Sequence, residues 1–137
     1  MSVQDPTKYV RKMYVNALEG IIKVYDGMAP ADATGIYAVM DTAWTREGAK
    51  NCNYYRFTVN LEINQEFKEY GNSEGVDGIC DDILELMMPL NSSGYLTVVG
   101  FSQDEITLES GSNDAFQNDA LVVFRKTITI NHFLSEN

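Results

Sequence analysis

The residues of this chain with the chemistry for catalysis are few, and their spacing suits it poorly. His132 is the only histidine among 137 residues, so a serine or cysteine nucleophile would have to take its general base from that one position. It falls on the expected last strand and reads as a sheet or tail residue. Asp77, Asp81, Asp82 and Glu85 crowd one segment, with Asp77 and Asp81, and Asp81 and Glu85, one helical turn apart. Such a spacing serves acid/base work or a divalent cation. The other side of the same segment carries an apolar stripe, however, so these acids read as a solvated helix face, and nothing selects a glycosidase-like pair. Cys52 and Cys80 have no metal-ligand spacing, and with one histidine a zinc site is not expected. Cys80 falls on the apolar stripe and reads as a small core residue; Cys52 lies in a polar stretch. The glycines form neither GxGxxG nor GxxxxGK. Gly71, Gly75 and Gly78 stand at a helix start, but Asp81 and Asp82 follow and would repel a phosphate there. Tyr54, Tyr55, Tyr70 and Tyr95 have faces for stacking on bases but no clustered cations beside them, and tyrosine suits a protein interface equally well. The expectation is therefore no catalytic residue, no cofactor and no metal.

Charge narrows the classes further. Twenty acidic residues stand against ten basic ones, a formal net charge of −10. Such a surface repels polyanions, whereas gripping nucleic acid needs clustered Lys and Arg on phosphates. The acid is unevenly placed. Eight acidic residues fall between Glu62 and Glu85 against Lys68 alone, and five between Asp104 and Asp119 with no base. Lys8, Arg11 and Lys12 cluster near the N-terminus. Opposite potentials of this kind steer association, so two copies could meet head to tail, or the charges could simply be separate solvated faces. No apolar run approaches 18 residues and no N-terminal apolar segment is present, so neither membrane spanning nor secretion is expected.

The positions of these groups depend on the elements that carry them. Asp5-Pro6 offers a cap and a proline at the first helical turn. Val10, Met13, Tyr14, Ala17 and Leu18 then keep helical spacing, so a helix is expected over 6–19, stopped near Gly20. Residues 21–25 read as a short strand or the last turn of that helix, 26–35 as a loop with Gly27, Pro30 and Gly35, and 36–41 as a strand. Thr42 to Asn53 reads as a long polar connection or flap, with Trp44 its one large apolar residue. Tyr54 to Gln65 alternates: Tyr55, Phe57, Val59, Leu61 and Ile63 fall on one face, with polar residues on the other, the pattern of a half-buried strand. A second helix is expected over 73–88, with Val76, Ile79, Cys80, Ile83, Leu84 and Met87 inward and Pro89 as its stop. A hairpin over 95–101 and 105–110, a polar loop over 111–118 and a long strand over 120–133 complete the chain.

This order predicts one α+β domain over residues 1–137: one mostly antiparallel twisted sheet with two helices on one face. At about 3.3 Å per residue the Tyr54 to Gln65 strand reaches roughly 40 Å, more than a core of this size needs. Long strands or a hairpin are thus expected to protrude, with the Tyr54-Tyr55-Arg56 end outside the core and in a subunit contact.

The sequence of elements resembles the tail-terminator (tail-completion, neck-ring) family of tailed bacteriophages. The resemblance rests on the N-terminal helix leading into Ile21-Ile22-Lys23-Val24-Tyr25-Asp26, the loop Gly27-Met28-Ala29-Pro30-Ala31-Asp32-Ala33, and the strand Ile36 to Met40. The long strand Tyr55 to Ile63, the helix Val76 to Met87 and the closing strands complete it. The chain departs from the pattern in lacking a second proline before Ile36 and in its glycine-rich second helix start. The resemblance implies a structural virion protein with no catalytic residues. It would be a ring, commonly a hexamer, at the neck of the virion, assembled in the host cytoplasm. The ring would end tail-tube assembly and join the tail-tube protein to the head connector, with genome DNA passing through without specific binding. Trp44, Tyr54, Tyr55, Arg56, Lys8, Arg11 and Lys12 are the interface residues expected on that reading. Two other classes compete: another head–tail connector protein, and a non-viral cytosolic module that binds a ligand or carries a cryptic carboxylate site.

Overall fold

The structure, a computed structural model, describes residues 4–47 and 53–137. Helix α1 (Thr7–Leu18) buries Val10, Met13, Tyr14 and Leu18, one stripe of its surface. Asp5 Oδ1 accepts the Thr7 N–H at 2.8 Å, satisfying one of the donors a helix start leaves open. The Ile21 and Ile22 amides both donate to the Leu18 carbonyl, and this tight exit delivers the chain into β1 (Lys23–Asp26). Then follow β2 (Ile36–Arg46), β3 (Tyr54–Phe67), α2 (Glu74–Met87), a 3-10 turn (Ser92–Gly94), β4 (Phe101–Asn118) and β5 (Leu121–Glu136).

The five strands form one open sheet in the order β1-β2-β3-β5-β4. β1 runs parallel to β2, and the other three pairings are antiparallel, so the expected α+β, mostly antiparallel architecture holds. The alternation of β3 is realised: Tyr55, Phe57, Val59, Leu61 and Ile63 are all buried, each worth roughly 1.5–3 kcal/mol of apolar burial. Both helices cover this face. Tyr14 of α1 reaches His132, the register partner of Phe57, and Asp77 of α2 reaches Lys126, the partner of Ile63. Among the described residues, the opposite face of the sheet carries no helix.

Four expectations are corrected. First, the length of β3 does not go into a protrusion. Its start is flush with the sheet, since Tyr54 and Tyr55 pair with Ser135 and Leu134 of β5 while Arg46 of β2 flanks Tyr55. Second, the polar stretch from Thr42 continues β2 to Arg46 instead of leaving the sheet; Gly48 and Cys52 lie outside the described residues. Third, the hairpin expected over 95–110 is absent. Gly100, with φ 86°, turns the chain between the partners of an isolated bridge, Val98 and Phe101, and β4 then continues as strand through the expected turn at Ser102-Gln103-Asp104. Fourth, the expected polar loop 111–118 is the far half of β4. Its link to β5 is only Asp119-Ala120, with Asp119 at φ 55°, a left-handed conformation aspartate tolerates.

β4 absorbs its irregular sequence in two bulges, between Gln103 and Glu105 and between Leu108 and Ser110. Each adds one residue and so reverses the inward alternation. Gln103 and Ile106, three apart, therefore lie opposite Leu134 and His132 on one face, and Leu108 and Gly111 lie opposite Ile130 and Ile128.

Candidate functional surfaces

The residues with chemical potential do not converge. His132 is sealed in the core at 0% exposure, held edge-on against the Tyr14 ring with centroids 5.4 Å apart. The Tyr14 hydroxyl lies 2.5 Å from Nε2, and Gln103 Oε1 lies 2.7 Å from Nδ1. Gln103 Nε2 in turn donates to the Leu96 carbonyl at 2.5 Å. With an amide oxygen fixed at Nδ1, that nitrogen carries the proton and Nε2 accepts from the tyrosine. Burial pushes the imidazole down to about 4 and raises the Tyr14 hydroxyl, because each charged form would lose its water. This histidine is a structural core group on β5, held by Gln103 beside the first bulge of β4.

Asp77 is equally committed. Its carboxylate accepts from Asn113 Nδ2 at 2.9 Å, Lys126 Nζ at 3.0 Å and Ser73 Oγ at 3.1 Å, which holds it below the ordinary aspartate range, the Asn113 bond leading. Cys80 is buried as expected, with its thiol raised by desolvation. Asp81, Asp82 and Glu85 stand exposed on the outer face of α2, without an ion pair or hydrogen bond among the described residues. Among those residues no group of three His, Cys, Asp or Glu is placed to hold a metal ion.

The helix-free sheet face is a hydrogen-bonded polar carpet. Thr58 Oγ1 donates to Asn131 Oδ1 at 2.7 Å, Thr129 Oγ1 to Asn60 Oδ1 at 2.6 Å and Arg125 Nε to Asn64 Oδ1 at 2.9 Å. Arg125 also pairs with Glu62 at 3.5 Å and lies over the Phe116 ring. The two bulge residues join in: Asp104 accepts from Ser135, and Glu109 pairs with Arg56 at 3.3 Å. Alternation placed these threonines and asparagines on the outer face, but the pairs depend on a strand register that sequence does not show.

The expected interface residues divide. Tyr55 is 2% exposed, packed edge-on against Trp44 and Phe101 with centroids at 5.4 and 5.6 Å, so its side chain belongs to the core and not to a subunit contact. Trp44 is half-buried above it, Tyr54 is exposed on the outer face, and Arg56 is tied to Glu109. Lys8 and Lys12 are exposed on α1, while Arg11 pairs with Asp26 at 3.0 Å. On the helix side, an apolar hollow of about 390 Å³ lies between the end of α2 and β4, lined by Leu84, Glu85, Met88, Pro89, Leu90 and Leu108. Nothing in the sequence pointed to this hollow, because Leu108 is brought beside α2 only by the bulges. No protein-family model matches the chain, and no curated protein is significantly similar to it.

Proposed function

We propose that this chain is a structural assembly protein, a ring-forming neck component similar to the tail terminators of tailed bacteriophages. The observation that carries the reading is the distribution of its reactive groups: His132 is buried and Asp77 is bound by three side chains, while the remaining charge lies on broad open faces. Surfaces of this kind serve association between folded bodies. The edges of the sheet support it too. β1 has only four residues and β4 is acidic and twice bulged, devices that block uncontrolled strand addition. The net charge of −10 fits a body past which DNA moves without adhering. On this reading the chain assembles with itself, commonly as a hexamer, and meets a tail-tube protein on one side and a connector on the other.

Sedimentation mass and negative-stain imaging test the proposal, on the protein alone and mixed with a tail-tube protein. A closed ring in either sample is the expected result. A strict monomer in both, at high concentration, overturns it.

A further inference from the structure

Each helix carries one exposed charge against its own dipole. Lys8 sits in the first turn of α1 and Glu85 in the last turn of α2, the positive and negative ends respectively. Neither charge gains from its helix dipole, and Lys8 lies instead over the Tyr9 ring, 5.5 Å from its centroid. Each charge belongs to a row: Lys8, Lys12 and Val15 at i, i+4 and i+7 on α1, and Asp81 and Glu85 at i and i+4 on α2, with Met88 three residues further on at its C-cap. Such a spacing keeps the two charges of each row on one helical face. Lys8, Lys12 and Val15 are all exposed, Val15 at 43%. Asp81 and Glu85 are exposed as well, and the Met88 end of their row opens into the apolar hollow, beside Leu108 at 43% and a fully exposed Leu90.

The rows match in order: two cations and then a half-exposed valine on one, two anions and then an apolar hollow on the other, at the same sequence intervals. We infer that a second copy of this chain docks its α1 alongside α2, parallel to it. Val15 enters the hollow at Met88 and Leu108, Lys12 meets Glu85 and Lys8 meets Asp81. The inference rests on the ring reading and supplies its contact. Because α1 of one copy meets α2 of the next, the contact is heterologous, and it closes into a ring or runs on as a filament. The guarded edge strands leave the helix layer as the route for association, and opposite surface charge steers it.

Sedimentation equilibrium of the full chain at low salt tests the contact, using wild type, Lys12→Glu, Glu85→Lys and the double variant. Both positions are exposed, and circular dichroism with a thermal melt verifies folding. Wild type should associate, and each single reversal should raise the dissociation constant about tenfold. The double variant should recover the wild-type value, and Val15→Asp should leave a monomer. An oligomer indifferent to the single reversals, or a double variant no better than either, overturns this contact while leaving the ring reading in place. A wild-type chain that stays monomeric with or without a tail-tube protein overturns both.

Discussion

Acid should weaken this fold through a single imidazole. His132 is fully buried, accepts a hydrogen bond from Tyr14 at Nε2 and donates from Nδ1 to Gln103, so the folded protein holds it neutral. Its folded value is about 4 against an ordinary 6.5. In the unfolded chain the imidazole takes up a proton as pH falls through 6.5, while the folded chain refuses it until about 4; the unfolded state binds more protons in that window, so stability falls with pH there. At about 1.36 kcal/mol per unit, the loss is about 2 kcal/mol at pH 5 and approaches about 3 kcal/mol below pH 4. Asp77 and Asp5 lose their contributions lower down, since both are held below the usual 3.8 by hydrogen bonds. Urea titrations of wild type and His132→Gln, from about pH 7.5 to pH 4, isolate the term: the variant lacks the titrating group, so the difference between the two stabilities should shrink by those amounts. A difference that stays constant across the window refutes the argument. So does an imidazole proton resonance that titrates near 6.5 in the folded protein.

Three further outcomes follow from the packing. Tyr55→Ala should cost about 3–5 kcal/mol in urea denaturation, because its ring is buried between Trp44 and Phe101; a surface residue would cost almost nothing. Gly78→Ala should stabilise by about 1 kcal/mol, since a Cβ there meets no atom within 4 Å, whereas Gly71→Ala should destabilise by roughly 1–3 kcal/mol, since its Cβ lands on the Phe67 ring. Opposite shifts in the melting temperatures of these two variants are the measurement. Asp77→Ala should lower the melting temperature by releasing Ser73, Asn113 and Lys126. Its deficit should fade in acid, where the wild-type carboxylate is itself protonated.

The elements that sequence displayed well are those whose pattern is set within one segment. The stripes over 6–19 and 73–88 returned as Thr7–Leu18 and Glu74–Met87, and the alternation of Tyr55 to Ile63 returned as a buried face. β4 hides its pattern for a reason of the same kind. Its two bulges shift the inward residues from 101 and 103 to 106 and 108, and again to 111 and 113, so no period of two survives across it. Its far half lies exposed at an edge, touching α2 through Asn113 and Asp77, and a strand so little covered has no cause to be apolar. The three residues 102–104, read as a turn, instead hold the bulge that aims Gln103 at His132. The interior role of His132 was hidden likewise, since Tyr14 lies 118 positions away and nothing local announces the pair.

The same bulges join the interior to the surface. The first turns Gln103 inward onto His132, and its extra residue, Asp104, faces out to Ser135. The second leaves Leu108 on the helix side, at the mouth of the hollow, while Glu109 reaches Arg56 on the outer face. β4 is thus fastened on both faces of β5 by residues that a regular strand would have pointed elsewhere. An edge strand fixed this way presents bends and carboxylates to an approaching strand, so backbone pairing between copies is disfavoured. Association is then left to side-chain surfaces, and there the chain separates its signs: cations on α1, anions on α2. A net charge of −10 would keep copies apart unless such a local match overcame it. Association governed by that match must therefore respond to charge reversal at Lys12 and Glu85 far more than to any change along β4.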